Sequence, residues 1–277
     1  MKRDWWNKPF KKMVTLGESH TVGASATQQQ FAWPFVLKQL IDTCQAEPVA
    51  LVNRGLGADF LSPSCPNYKH FQGQRPIGME RYRRHLIDEQ PDLAVISYGY
   101  NDLRGGTPLD AFRADMQTMI SDIRSQTACV LLLLDTYHIP AGGFDNEPAA
   151  PDQGAAWSAG DLETQHAYNR AIRDLAQLNE ALFASAYEAM GGADWTVCAP
   201  SGKGDIHAND LGHRLVAHCI FQELATHCSG LSVKALAERQ RVGKSPWRRG
   251  ENCSEARIIA DFYPDSPVLD QWTGTAR

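Results

Sequence analysis

Residues 13–20 read Met13-Val14-Thr15-Leu16-Gly17-Glu18-Ser19-His20: a short apolar run that stops at a glycine and opens into a polar turn with a hydroxyl at its head. A run of this length, closed by Gly and lacking helical spacing, predicts a buried strand. Three more runs repeat it, at Val49 to Asn53, Leu93 to Ser97 and Cys129 to Asp135, and a weaker fifth covers Leu182 to Tyr187. Helical spacing fills the intervals over Trp33 to Cys44, less regularly over Ile77 to Glu89, and over Leu109 to Ser125, where Thr107 and Pro108 read as N-cap and first helical residue. Alternating strands and helices predict a parallel sheet covered by helices on both faces.

The connections are asymmetric. Helix-to-strand links are brief, whereas Gly17 to Ala32, Arg54 to Pro76, Gly99 to Thr107 and Thr136 to Gly160 are long and rich in Gly, Pro and polar residues. Open α/β sheets bind ligands beyond the C-terminal ends of their strands, so these four loops are expected to converge on one site.

Bulk properties narrow the class. The chain has 277 residues, 43% of them hydrophobic, enough for one sizeable α/β domain, read as residues 1–228, with a C-terminal extension over 229–277 that packs on it or trails from it. A net charge of -5 leaves no broad basic field, which argues against a nucleic-acid partner. The apolar stretch after the charged N-terminus is too brief for a secretory h-region, and Cys129 to Leu134 is too short to span a bilayer. Seven cysteines without a C-x-x-C pair suit free thiols better than a disulfide framework or a zinc ribbon. Together these features predict a soluble, cytoplasmic protein.

Chemistry collects on the expected rim. Ser19 stands on the turn leaving the first strand, as a nucleophile, a cap or a turn residue would. The second run leads into Asn53-Arg54-Gly55-Leu56-Gly57-Ala58-Asp59 and the third into Tyr98-Gly99-Tyr100-Asn101-Asp102. A glycine-rich turn frees backbone N–H groups and an Asn amide adds uncharged donors, both suited to an oxyanion, although Asn101 and Asp102 would equally hold a turn. Near the C-terminus, Gly204-Asp205-Ile206-His207-Ala208-Asn209-Asp210-Leu211-Gly212-His213 places His207 in a loop just before a helix, while His213 and His218 fall within that helix and suit structural roles.

Taken together, G-E-S-H, N-R-G-L-G-A, G-Y-N-D and G-D-I-H-A-N-D-L-G-H resemble, in order, the four blocks of the SGNH or GDSL-like hydrolases, over about Met13 to Cys228. The resemblance implies a three-layer α/β/α sandwich with a central, mainly parallel five-stranded sheet of flavodoxin-like type. It implies Ser19 as nucleophile, His207 as general base, and an oxyanion hole from the Ser19 N–H, the turn at Gly57 and Ala58, and the Asn101 side chain. Glu18 and His20 stand where the family commonly has Asp and Leu, and its block-two glycine falls on Ala58. The family's acid lies three residues before the base, at Gly204 here, so either Asp205 reaches His207 through a shifted loop or the pair acts without it.

The implied reaction is acyl transfer from a small ester to water, without metal or organic cofactor. Glu18, His20, Tyr100, Tyr137 and His138 are candidate substrate contacts, and Trp157 and Phe144 would extend an aromatic wall suited to a sugar. A carbohydrate O-acetyl esterase is the first expectation. A short-chain acyl or lysophospholipid esterase, an acyltransferase and a ligand-binding module derived from the fold are the alternatives.

Overall fold

Five strands form one all-parallel sheet in the order β2-β1-β3-β4-β5, with β1 at Lys12–Gly17, β2 at Ala50–Gly55, β3 at Leu93–Ser97, β4 at Val130–Leu134 and β5 at Leu182–Ala184. This computed structural model describes residues 3–137, 156–191, 206–242, 254–267 and 269. The apolar runs become strands because every residue of β3 and β4 is buried, whereas β2, at the sheet edge, stays partly exposed. The fifth strand is shorter than its apolar run suggests, because Ser185 leaves the sheet and caps a following helical turn by accepting the Glu188 N–H.

Register places the C-terminal ends of three strands side by side: Gly17 pairs with Gly55 on one flank and with Ser97 on the other. Both glycines are required by close approach. A Cβ on Gly17 would lie 2.3 Å from the Ser97 carbonyl oxygen, and one on Gly55 would lie 2.2 Å from the Val22 nitrogen. The turn after β1, α1 at Ser19–Val22, therefore sits directly against the end of β2.

Helices cover the sheet in two groups and complete an α/β/α sandwich. In one, α2 (Trp33–Cys44) packs on α9 (Asp210–His227). Pro34 at its start and buried Trp33, Leu37 and Ile41 explain α2 from its sequence. In the other group, α4 (Gly78–Tyr82, continued by a π-helical turn to Ile87) packs on α6 (Leu109–Gln126), and α6 packs on α7 (Leu162–Leu178). The α6 stripe of Phe112, Met116, Met119, Ile120 and Ile123 is buried as its spacing predicts. Its N-cap is Pro108, however, because the Thr107 hydroxyl turns instead to Asp102.

The chain divides into two compact units, Met1–Ser232 and Val233–Arg277. Residues 229–232 belong to the first, where Gly230 N–H donates to the Trp6 carbonyl at 2.9 Å. The second contains α10 (Val233–Val242) and α11 (Ser254–Phe262). No helix among the described residues is long and apolar enough to cross a membrane.

Candidate active site

Ser19 Oγ lies 3.0 Å from His207 Nε2, although 188 positions separate them in the chain. Ser19 is the first residue of α1, after Glu18 in extended conformation, and α1 ends at Gly23 with φ +103. His207 precedes α9, whose first turn is capped by Asn209 Oδ1 accepting the Gly212 N–H at 3.1 Å. Three contacts tie this helix start to the loop after the nucleophile. The Asp210 carboxylate accepts the Thr27 N–H at 2.8 Å and the Thr27 hydroxyl at 2.6 Å, and His213 Nε2 donates to the Ala24 carbonyl at 3.0 Å. Burial pushes the His213 pKa down, and a neutral ring lets its Nδ1 accept the Trp33 N–H. His213 is thus structural, and it helps hold His207 against Ser19.

The loop after β3 becomes α5, Tyr100–Gly105, with Asn101 and Asp102 buried in its first turn. Glu18 joins it to the nucleophile turn: its Oε1 accepts the Gly99 and Asn101 N–H groups, each at 3.1 Å. Burial, with the neighbouring charges of Asp102 and Asp59, raises the Glu18 pKa well above the carboxylate range. The Asn101 amide donates to the Asp59 carbonyl at 2.8 Å and its oxygen accepts from Arg104 at 3.1 Å. An amide nitrogen has two hydrogens, so one N–H remains. Asp102 accepts the Leu61 and Ser62 N–H groups at 2.8 and 3.0 Å, binding the chain after the block-two turn to α5.

Within that turn Ala58 has φ +50, the left-handed region that costs an L-residue about 1–2 kcal/mol. Among the described residues its N–H has no partner in the protein. It is half-buried, as are Ser19 and His207.

A buried cluster invisible to the sequence reading fixes this rim from below. Arg81 donates to Asp59 Oδ2 through Nε and Nη2 at 2.9 and 2.5 Å, and to the Gly17 and Arg54 carbonyls at 3.0 and 2.8 Å. The Tyr98 hydroxyl donates to the same carboxylate at 2.6 Å. Burial raises the Asp59 pKa while Arg81 and Tyr98 oppose the rise. One guanidinium thereby holds the ends of β1 and β2 and the residue following Ala58.

The aromatic candidates turn inward. His20, Tyr100 and Tyr137 are each at most 3% exposed. They form a column in which His213 stacks on His20 at 4.6 Å, His20 meets Tyr137 at 4.2 Å, and Tyr137 stacks on Tyr100 at 4.3 Å. Glu18 is 4% exposed and its carboxylate holds backbone N–H groups. These four side chains therefore support the rim from within, where a ligand has little surface to touch. Trp157 packs on Phe60 and Phe71 in a second small core and does not form an open wall. Asp205, His138 and Phe144 lie outside the described residues.

The chain is similar to known structures of this architecture. The lipase/acylhydrolase from Enterococcus faecalis is 19% identical, with a TM-score of 0.56 and coverage of 78% of this chain and 96% of that one. The acetylxylan esterase from Geobacillus stearothermophilus is 15% identical, with a TM-score of 0.55 and coverage of 79% and 95%. The psychrotrophic esterase EstA from Pseudoalteromonas sp. is 13% identical, with a TM-score of 0.55 and coverage of 78% and 97%. At these identities the likeness is one of fold. No curated protein matches the chain. The model of the GDSL-like lipase/acylhydrolase family matches residues 15–215, from within β1 to within α9, and so takes in Ser19, Asn101 and His207. The chain belongs to the GDSL-like lipase/acylhydrolase family, whose members are ester-hydrolysing enzymes.

Proposed function

We propose that the protein is a serine esterase that hydrolyses a small ester through an acyl-enzyme, with Ser19 as nucleophile and His207 as general base. The observation that carries this reading is the 3.0 Å approach of Ser19 Oγ to His207 Nε2 at the C-terminal edge of a parallel sheet. His207 takes the Ser19 proton as Oγ attacks the ester carbonyl, then passes it to the leaving alcohol; water reverses the sequence. The Ser19 N–H, the remaining Asn101 N–H and the Ala58 N–H hold the oxyanion, with Gly57 N–H as the alternative donor in the block-two turn. Asp205 is the proposed acid that orients His207.

For the substrate we favour a carbohydrate O-acetyl ester over a short-chain acyl or lysophospholipid ester. One solved structure of similar fold is named an acetylxylan esterase, which supports this choice. A cleft of about 550 Å³ also opens beside the block-two turn, with Asn53, Leu56, Gln74, Arg75 and Pro76 in its lining. We place the enzyme in the cytoplasm, on the five unpaired cysteines among the described residues.

A panel of p-nitrophenyl esters from acetyl to decanoyl, with acetylated xylooligosaccharides and a lysophospholipid, tests the assignment against a Ser19→Ala control. Acetyl esters should be turned over fastest, with acetate released from the sugar. A maximum at long acyl chains would replace the sugar reading with a lipid one, and ester transfer to an added alcohol in preference to water would make the enzyme an acyltransferase. Binding without turnover would leave a ligand-binding module.

A further inference from the structure

The Arg75 guanidinium donates through Nη2 to the carbonyl oxygen of Gly57. That carbonyl and the Ala58 N–H belong to one peptide unit, and in a trans amide they point in opposite directions. Whatever fixes the carbonyl from outside therefore aims the N–H inward. Little else fixes it. A Cβ built on Gly57 meets nothing within 4 Å, so no side chain braces the turn there. Its ends are pinned by Leu56 N–H to the Gly17 carbonyl at 3.0 Å and by Asp59 N–H to the Leu56 carbonyl at 3.3 Å. The peptide between them is held by Arg75 alone among the described residues.

Arg75 is suited to this by its own surroundings. Its N–H is anchored to the Phe71 carbonyl at 2.9 Å and its guanidinium lies 5.7 Å from the Phe71 ring centre. Among the described residues no carboxylate pairs with it, whereas Arg54 is paired with Glu89 and Arg81 with Asp59. An unneutralised cation on the carbonyl polarises the amide and strengthens its N–H as a donor. The same charge lies one peptide away from the developing oxyanion.

We infer that Arg75 is a positioning residue for the reaction, aiming and polarising the Gly57–Ala58 peptide so that the Ala58 N–H meets the oxyanion. The inference rests on the proposed role of the Ala58 N–H. It predicts an effect on kcat with KM left nearly unchanged, since the oxyanion exists only in the transition state.

The test uses the intact chain and p-nitrophenyl acetate. Arg75→Gln should lower kcat about tenfold, part of the roughly 10² to 10³ that a whole oxyanion donor is worth, with KM within about twofold and the melting temperature unchanged. Arg75→Lys keeps a cationic donor and should recover most of the loss. In Arg75→Ala, millimolar guanidinium has room to enter through the 550 Å³ cleft and should restore part of kcat, without effect on the wild type. Replacing the Gly57–Ala58 amide by an ester, with lactic acid at position 58, deletes the N–H without touching the side chains. Loss of kcat in that protein with full kcat in Arg75→Gln overturns the role of Arg75 and leaves the oxyanion reading standing. Full kcat in the ester-linked protein overturns the oxyanion reading itself. Equal losses in Arg75→Lys and Arg75→Gln, with a lowered melting temperature and no guanidinium rescue, would make Arg75 structural and overturn the inference.

Discussion

Two neighbourhoods at the C-terminal ends of the strands contain serine and histidine, and they are wired differently. Beyond β1, Ser19 Oγ faces His207 Nε2 at 3.0 Å. Beyond β4 and β5, Ser185, His166 and Asp135 share a small cavity of about 160 Å³, yet the Ser185 hydroxyl donates to Asp135 Oδ2 at 2.7 Å and accepts the Glu188 N–H at 3.1 Å. His166 there lies 3.0 Å from the Tyr187 hydroxyl. In the first neighbourhood the serine meets a base, and in the second it meets an acid and a helix end. Residue types at an active rim therefore do not make a site; the partner of the hydroxyl does.

Swapping the two serines gives the largest expected effect. Ser19→Ala should abolish hydrolysis, about 10⁶-fold in kcat by analogy with other serine hydrolases, and leave the melting temperature unchanged. Ser185→Ala should keep kcat and lose about 1 kcal/mol of stability, typical of a removed cap. Steady-state kinetics and thermal unfolding on both variants measure this. The opposite pattern, an active Ser19→Ala and an inactive Ser185→Ala, would move the active site to the far end of the rim.

The acids should separate next. If Asp205 orients His207, Asp205→Asn should lower kcat by up to about 10⁴. Asp135→Asn should leave kcat alone and act on stability. Burial pushes the Asp135 pKa up to about 7 from an ordinary value of 3.8, against hydrogen bonds from Ser185 and Tyr187. Between about pH 4 and pH 7 the folded protein keeps a proton that the unfolded chain has released. Stability from this group is therefore full below pH 4 and falls as pH rises to about 7, by up to about 4 kcal/mol. Asp135→Asn should flatten that fall, with a higher melting temperature than wild type at pH 8 and little difference at pH 4. A variant less stable than wild type at pH 8 would show that the carboxylate charge is used in the fold.

A third buried carboxyl sharpens the distinction. Asp102 is also pushed up to about 7 by burial, but it accepts from Leu61 N–H, Ser62 N–H and the Thr107 hydroxyl. An amide there turns one acceptor into a donor facing a donor, so Asp102→Asn should lose about 1–3 kcal/mol at pH 4, and less as the wild-type carboxyl ionises towards pH 8. Thermal unfolding at pH 4 and pH 8 reads it, and a gain in stability at pH 4 would mean that the three donors do not converge on Asp102 as described.

What was legible in the sequence follows the same division between type and wiring. The apolar runs disclosed the sheet, since burial on both faces leaves a continuous apolar signature, and the asymmetry of the loops marked the edge that carries the proposed site. Helix α7 was not legible, because its buried face includes Gln165 and Asn169, which serve Thr136 and the Tyr137 carbonyl and break the apolar stripe. The Arg81 cluster was equally hidden. Its partners stand 22 and 17 positions away, and no local pattern marks which arginine of a helix turns inward. The Gly- and Pro-rich setting of Tyr137 and Trp157 suggests a surface loop and a wall for a sugar, whereas their rings, like that of Tyr100, are packed against other rings.

The smallest effect concerns the contrast between the serine proposed to act and the backbone proposed to serve it. Ala58 donates to the proposed oxyanion through its N–H alone, so its methyl group is a steric burden at φ +50. Ala58→Gly removes about 1–2 kcal/mol of left-handed strain and adds about 0.4–1 kcal/mol of unfolded-state entropy cost, leaving a net gain between about 0 and about 1.6 kcal/mol. The N–H is untouched, so kcat should stay within about twofold. Ala58→Val adds a β-branched side chain where the left-handed region tolerates it least, and should lose both stability and kcat as the peptide rotates away. Thermal unfolding and p-nitrophenyl acetate kinetics on the pair decide the matter. A tenfold drop in kcat for a well-folded Ala58→Gly would mean that the methyl group itself fixes the peptide direction, and that the turn needs stiffness from its side chain as well as a donor from its backbone.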